Sequence, residues 1–370
     1  MLSSGDTLPA ALPTSQPSCT ESCWFVATAS GNCYSGAPTP IRDCICTNIP
    51  LLSVLSTCVQ KSCSFSDQLV HVDTLATICD GYDKPSRKAE LIVLAAAGMT
   101  LATVMGALRC WSRLVTVRRL GWDDWTALAA LILLLVMGSV GMVATKWGFG
   151  VHYWDSDIRL SRTIHQVFWA MEVGYLFNIN LIKASIMLLY GRTFETTGWQ
   201  TFVRYSLLFI AARTVAFMFP LIIQCKPLRA IWDPEVDGVC LNVSAIGFAG
   251  AACSIIQDFV LMIAPIPTLW RLRLPKTQRI LLAVLFGFGS IATITSLIRL
   301  KALQTFGRTK DLTWDNVDVV IWTGIELVSA LICLVQSRES CKADQRRLKN
   351  TDTRKGFRLS PPPPMYRAEA

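Results

Sequence analysis

The feature that most constrains the fold is a series of seven apolar segments, each long enough to cross a lipid bilayer. About 20 helical residues span a hydrocarbon core of about 30 Å. Helix is the expected form because lipid offers no hydrogen-bond partners to an open backbone. We therefore predict an all-α membrane protein, built as a seven-transmembrane helix bundle. The predicted spans are residues 91–108, 125–145, 167–190, 203–224, 245–269, 280–298 and 317–335.

Composition and missing motifs exclude several other classes of protein. Only 16% of the 370 residues are charged, whereas soluble domains carry about 25%. The net charge of +9 fits the basic excess of cytoplasmic loops better than a nucleic-acid surface. The sequence has no His-Glu-x-x-His motif, no Gly-x-Ser-x-Gly elbow and no phosphate loop. We therefore expect neither an enzyme nor a metal site. Residues 317–335 also contain no lysine that could hold retinal.

The distribution of Lys and Arg predicts the orientation in the membrane. With the amino terminus extracellular, the inner loops and tail carry nineteen, the three outer loops nine and the amino-terminal segment five. This balance favours an extracellular amino terminus and a cytoplasmic carboxyl terminus. We expect the membrane to be the plasma membrane. The last outer loop, which includes Arg299 and Lys301, fits the count least well. Residues 1–18 lack the basic start and apolar core of a signal peptide. Either the first span acts as the insertion signal, or the true start lies upstream.

Eight of the fourteen cysteines fall before residue 80. The gaps between them are three, nine, ten, one, eleven, four and fifteen residues. A domain of about sixty residues buries too little surface to be stable on its core alone, so such crowding indicates a disulfide framework in an oxidising compartment. Zinc binding is the alternative, but the Cys44-Ile45-Cys46 spacing is too short for a usual zinc knuckle. Between the cysteines we expect a helix near Pro50–Leu55 and another that begins with Ser66 as its cap.

This spacing resembles the fungal CFEM domain, an eight-cysteine extracellular module, over residues 19–79. Some secreted members of that family bind haem through an aspartate three residues before the fourth cysteine. Here that position is Ile41, and the nearest acid is Asp43, next to Cys44. We therefore expect no cofactor, with haem on Asp43 as the alternative. The disulfides that the resemblance implies are Cys19–Cys63, Cys23–Cys58, Cys33–Cys44 and Cys46–Cys79.

Short motifs recur in a fixed order along residues 90–335. They include Arg109-Cys110-Trp111-Ser112-Arg113, Gly121-Trp122-Asp123-Asp124-Trp125, Gly148-Phe149-Gly150-Val151-His152, Lys183-Ala184-Ser185-Ile186, Gln224-Cys225-Lys226-Pro227, and Trp322 with Glu326. In that order they resemble the fungal rhodopsin-like seven-helix domain, which often follows a CFEM module in receptor-like surface-sensing proteins. The resemblance implies a G-protein-coupled-receptor-like protein that senses extracellular or surface cues, with a heterotrimeric G protein or another cytosolic signalling protein as partner. The alternative is a membrane protein that captures or transports haem or another small molecule.

Ionisable residues inside the spans are candidate functional groups, because burial in lipid is costly for them. At 100° per residue, His165, Glu172 and Lys183 fall within about 20° of one line on the third span. We expect Glu172 to line a polar cavity, and Lys183 to pair with Asp258 or Glu326. The alternative is that these groups only fix helix packing. The intramembrane candidates are His165, Glu172, Lys183, Arg213, Asp258 and Glu326.

The loops supply three further predictions. Cys225 and Cys240 are expected to form a fifth disulfide, with two unpaired thiols as the alternative. Asn242 begins an Asn-Val-Ser glycosylation sequon in a predicted outer loop. The basic stretches 113–119 and 271–279 are candidates for the partner face, or serve topology alone.

The predicted domain order combines these elements. Residues 1–18 form an amino-terminal extension, 19–80 the CFEM-like module and 81–90 a linker. Residues 91–335 form the seven-helix domain, and 336–370 a disordered basic cytoplasmic tail beside the lipid bilayer.

Overall fold

The cysteine-rich module folds into four short helices. The computed structural model describes residues 17–31, 33, 41–116, 121–193, 196–233, 235–267, 287, 289–302 and 311–354. The module helices are α1 (Ser18–Ser30), α2 (Ile41–Thr47), α3 (Ile49–Ser62) and α4 (Phe65–Ile78). The Asn48 side chain caps α3. Ser64 caps α4 by accepting a hydrogen bond from the Asp67 amide, so the predicted cap at Ser66 lies two residues too late.

Disulfides and a small apolar core hold the module together. Trp24, Leu51 and Leu55 are its largest buried side chains, each at most 1% exposed. Such a core is small, so cross-links that restrict the unfolded chain contribute much of the stability. The structure contains the four bonds that the CFEM resemblance implies: Cys19–Cys63, Cys23–Cys58, Cys33–Cys44 and Cys46–Cys79.

The rest of the described chain is a bundle of long apolar helices. Six of them are long and apolar enough to cross a membrane. Of the predicted span 280–298, residues 280–286 and 288 lie outside the described residues, whereas 289–302 are helical. The bundle helices are α5 (Lys88–Thr116), α6 (Trp122–Ala144), α7 (Ser161–Thr193), α8 (Thr197–Ile222), α9 (Val243–Ile263), α10 (residues 289–302) and α11 (Leu312–Arg354).

Helix α7 occupies the centre of the bundle. It packs against α6, α8 and α11, and its residues Ile179 and Ile182 lie in the main apolar core with Ala130 and Leu327. Ala130 has a small side chain, which lets the backbones of α6 and α7 approach closely. Close approach matters in lipid because helices there are held together by van der Waals packing and not by the release of water. Polar side chains on α7 therefore reach several neighbouring helices.

The structure differs from the predicted domain order in two places. The linker 81–90 is shorter than predicted, because α5 already begins at Lys88. The predicted disordered tail 336–370 is helical as far as Arg354. Residues 336–350 contain no Gly or Pro and are rich in Lys, Arg, Gln, Glu and Leu, which are good helix formers. Residues 355–370 lie outside the described residues.

Two connections at the module end of the bundle are ordered. Residues 145–160, here called the bridge loop, join α6 to α7 through three short 3₁₀ turns. Gly150 of this loop has φ of +90°, a conformation that favours glycine. Its amide donates to the Thr313 carbonyl, and its own carbonyl accepts from the Arg87 amide. The bridge loop is thereby fixed to the beginning of α11 and the segment before α5.

The second connection is a hairpin between α8 and α9. Strand β1 (Cys225–Lys226) pairs antiparallel with β2 (Val239–Cys240). Cys225 and Cys240 face each other across the pair and are joined by a disulfide.

Candidate functional site: the polar bundle core and the bridge loop

A buried ion pair joins the centre of α7 to α9. The Lys183 side chain is 2% exposed, and its Nζ lies 2.8 Å from Asp258 Oδ1. The same ammonium donates to the carbonyl and the hydroxyl of Ser254. Of the two partners expected for Lys183, Asp258 is the one that forms the ion pair. The three contacts compensate part of the cost of burying the charge.

Glu326 of α11 is the centre of a second polar group. Its carboxylate, 1% exposed, accepts hydrogen bonds from Arg299 Nε at 2.9 Å and from the hydroxyls of Ser296 and Tyr175. The Arg299 guanidinium also lies over the Tyr175 ring, 4.7 Å from its centroid. Assigning Arg299 to an outer loop was therefore wrong. It is a buried residue of α10, which removes one of the charges that disagreed with the positive-inside count.

The polar residues of α7 do not form one continuous contact surface. His165 bonds within its own helix, to Ser161, whereas Lys183 pairs with α9. Asn180 accepts a hydrogen bond from Arg213 of α8. Glu172 has no hydrogen bond or ion pair to another described residue and lines a cavity.

This cavity lies between the bundle helices and has a volume of about 550 Å³. Residues of α5 to α11 line it, among them Glu172 and Arg213. The expectation of a polar cavity beside Glu172 is wrong, because most of the lining is apolar. The apolar lining consists of Phe149, Phe168, Phe217 and of leucine, isoleucine, valine and glycine residues from several helices. The volume falls within the range of about 300–1,000 Å³ that is usual for small-molecule sites.

A charge cluster that the sequence reasoning missed lies at the far end of the bundle. Arg109 and Arg113 of α5 contact Asp123 and Asp124 at the beginning of α6, with nitrogen–oxygen distances of 2.9–3.7 Å. Arg192 at the end of α7 reaches Asp123 at 3.4 Å. Arg109 and Arg113 are therefore buried in α5 and do not act as free loop charges.

Two motifs in the sequence could have predicted this cluster, the one at residues 109–113 and the one at residues 121–125. Two arginines spaced four apart lie on one face of a helix. Two adjacent acids follow at the start of the next span, where carboxylates favour a helix amino terminus. The Asp124 carboxylate also accepts a hydrogen bond from the Gly121 amide.

The bridge loop connects the module to the last helix. Trp154 of this loop is 5% exposed and belongs to the module's apolar core. Its neighbour His152 stacks between the rings of Trp154 and Trp314, at centroid distances of 4.4 Å and 3.9 Å. His152 Nδ1 lies 2.6 Å from the carboxylate of Asp311, which also accepts the Tyr153 amide. One short segment thus contacts both the module core and the first turn of α11.

Polar contacts reinforce this junction. The Tyr153 hydroxyl donates to Gln68 of α4 at 2.9 Å, and burial raises the pKa of Tyr153 to about 12. Arg159 reaches Asp73 at 2.6 Å across an exposed surface. Burial raises the pKa of Asp155, while Lys84, 3.8 Å away, opposes that shift.

The candidate haem ligand Asp43 is engaged within the module. It lies in α2, and its carboxylate accepts a hydrogen bond from the Tyr82 hydroxyl. That hydrogen bond raises the pKa of Tyr82.

The glycosylation candidate Asn242 caps α9. Its Oδ1 accepts a hydrogen bond from the Ala245 amide, which leaves the side-chain nitrogen, the atom that carries a glycan, outside that bond. The side chain is exposed, so glycosylation stays a prediction.

Comparison with known families identifies both parts of the chain. The fungal rhodopsin domain matches residues 108–339, more than half of the chain. The CFEM domain matches residues 12–80. The chain therefore belongs to the fungal rhodopsin domain family and carries a CFEM domain before it. It is an integral membrane protein with a disulfide-rich amino-terminal module.

Curated relatives are distant in sequence. A polyenoic acids biosynthesis gene cluster protein, Ba17b of Metarhizium anisopliae, is 27% identical over 267 residues, which are 67% of this chain and 72% of that protein. An SAT4 family membrane protein of Emericella nidulans is 29% identical over 53% of this chain and 49% of its own length. Receptor GIN3 of Arthrobotrys oligospora is 25% identical over 61% of this chain and 55% of its own length. The chain thus spans about half the length of the last two. No solved structure matches the chain.

Proposed function

We propose that this protein is a plasma-membrane receptor of the G-protein-coupled type, which senses extracellular or surface cues through its CFEM domain. The amino terminus is extracellular and the carboxyl terminus cytoplasmic. A fungal rhodopsin domain behind a CFEM domain supports a receptor-like role, and one relative is named a receptor. The positive-inside balance supports the orientation.

The observation that carries this proposal is the bridge loop. A module on a flexible tether would not change the bundle when it binds a cue. Here Trp154 is part of the module core, while His152 and Tyr153 bind Asp311 beside α11. A shift of the module therefore pulls on the first turn of the last helix. That helix also carries Glu326 of the buried polar core.

The partner is a heterotrimeric G protein or another cytosolic signalling protein. Since Arg113 is buried in the far-end cluster, the candidate partner face rests on residues 271–279, which lie outside the described residues. Their basic character suits an acidic surface on the partner.

The partner proposal is tested by nucleotide exchange on a fungal G-protein α subunit. The full chain in lipid nanodiscs should accelerate exchange over empty discs. Neutralising the basic stretch, with Arg271→Gln, Arg273→Gln and Lys276→Gln, should abolish that acceleration. Lys226→Gln with Arg229→Gln is the matched control, because both side chains are exposed on the hairpin loop at the module end. Equal exchange with and without the receptor contradicts G-protein coupling.

Haem capture is the alternative proposal, and the structure offers it less support. A haem ligand at Asp43 must give up the hydrogen bond from Tyr82. The shift of this acid by two positions also moves the carboxylate away from the family's ligand position.

A further inference from the structure

We propose that the cavity in the bundle is a binding site for an apolar small molecule that ends in a carboxylate, with Arg213 as its counter-ion. This site is separate from the CFEM domain. It does not depend on whether the protein couples to a G protein.

The first argument is the state of Arg213. Its side chain is buried, with the residue 5% exposed. Its guanidinium contacts two neutral groups, the Asn180 amide oxygen and, at 3.4 Å, the Gly250 carbonyl. Its Nε has no partner. An arginine remains charged in a protein, and burying a charge without an opposite charge is costly. Arg213 therefore has an unused capacity to bind an anion.

The second argument is that no carboxylate in the described part of the bundle forms an ion pair with Arg213. Glu326 is bound by Arg299 and Asp258 by Lys183. The undescribed segments that flank α10, residues 268–286, 288 and 303–310, contain no Asp or Glu at all.

The third argument is the shape and lining of the cavity. Arg213 lies on the wall of a space of about 550 Å³. Most of the wall is apolar, with Phe168, Phe217, Leu134 and Val320 among its side chains. An apolar wall with a few convergent charges is the arrangement that binds an amphipathic ligand in one orientation. Of the charged side chains on this wall, Arg299 is already bound to Glu326, whereas Arg213 forms no ion pair with a described residue. An apolar body gains by leaving water, and the carboxylate forms charge-assisted hydrogen bonds with the guanidinium.

Glu172 also lines the cavity and raises the opposite option, a cationic ligand. A carboxyl group can become neutral by taking up a proton, whereas a guanidinium cannot lose one. The need for a counter-ion is therefore greater at Arg213. We therefore propose that the ligand carries a carboxylate and not an amine.

The test uses the full chain in nanodiscs and the fluorescent polyene cis-parinaric acid, measured against empty discs. Its methyl ester and its amine analogue have the same apolar body without the carboxylate. We expect the acid to bind at least tenfold more tightly than the ester, a difference of about 1.4 kcal/mol. Arg213→Gln should remove that tenfold preference and leave ester binding unchanged. The matched control is Arg204→Gln on the exposed face of the same helix, which should bind as the unmodified protein does.

A second variant protects the test against misfolding of Arg213→Gln. Gly324 lines the cavity, and a Cβ placed there has no atom within 4 Å. Gly324→Leu therefore fills the space while Arg213 stays in place, and both acid and ester should lose binding. Equal affinity for acid and ester, tighter binding of the amine, an unchanged acid affinity in Arg213→Gln, or unchanged binding in Gly324→Leu would each overturn the proposal.

Discussion

Replacing Lys183 by Met removes the cation of the buried pair and leaves the Asp258 carboxylate without its 2.8 Å contact. The lysine is 2% exposed and the aspartate 16%, so water reaches the remaining charge poorly. Removing one member of a buried ion pair costs about 3–5 kcal/mol. We expect Lys183→Met to lower the free energy of unfolding by about 3 kcal/mol.

The pair itself is measured by a double-mutant cycle. Asp258→Leu alone leaves the ammonium with only the Ser254 oxygens, so it should also destabilise the protein. The double variant removes both charges. Its loss of unfolding free energy should therefore be smaller, by at least about 2 kcal/mol, than the sum of the losses in the two single variants. Hydrogen bonds measured this way in a membrane protein average about 0.6 kcal/mol. A coupling near that value would refute the assignment of Lys183 and Asp258 as a strong ion pair.

The assay is unfolding of the purified protein in nanodiscs, followed by tryptophan fluorescence. Lys301→Met is the control, because Lys301 is an exposed lysine of α10 and its loss should change stability by less than about 0.5 kcal/mol. The same variants report on function. If Lys183→Met folds normally and its signalling output is unchanged, Lys183 has no role in signalling.

Three further predictions concern the outer parts of the molecule. Burial lowers the pKa of His71 from 6.5 to about 4, so the unfolded chain takes up a proton at a higher pH than the folded chain does. As the pH falls from 6.5 towards 4, the module should therefore lose about 3 kcal/mol of stability. Thermal unfolding curves of His71→Phe should not show this loss. In a haem titration followed by absorbance, the protein and Asp43→Ala should behave alike, because Tyr82 already binds that carboxylate; a haem band that Asp43→Ala loses would favour the capture alternative. Replacing Cys225 and Cys240 by Ser opens a loop with a sequence separation of 15, which should cost about 3 kcal/mol; an unchanged melting temperature would contradict a stabilising role.

The sequence predicted the features that depend on a single segment of the chain, such as the position of each apolar span. The apolar spans follow from the length of a bilayer crossing, and the helix bounds differ from the prediction mainly at their polar ends. Lys183 was expected to meet an acid because an unpaired charge is costly in the bundle. The pattern alone did not select between Asp258 and Glu326, since that choice depends on which helices are neighbours.

Contacts between distant segments escaped prediction. Arg299 follows directly after an apolar run and was therefore assigned to a loop, whereas helix α10 continues past it and buries it against Glu326. No local pattern in the sequence indicates that Trp154 belongs to the module core. Its position in the module core depends on the folding of residues more than seventy positions earlier, such as Leu75.

The central claim is that the state of the CFEM domain reaches the last helix through the bridge loop. Hydrogen–deuterium exchange of the full chain in nanodiscs tests this claim most directly when the protein is compared with Trp154→Ala. Trp111→Ala serves as the control, because Trp111 is 73% exposed near the far end of α5. The amides of residues 316–320 lie beyond the first turn of α11 and are protected by helical hydrogen bonds. The account predicts that Trp154→Ala accelerates their exchange at least tenfold, together with that of α4, while Trp111→Ala does not. Faster exchange in α4 alone, with residues 316–320 unchanged, would contradict the account.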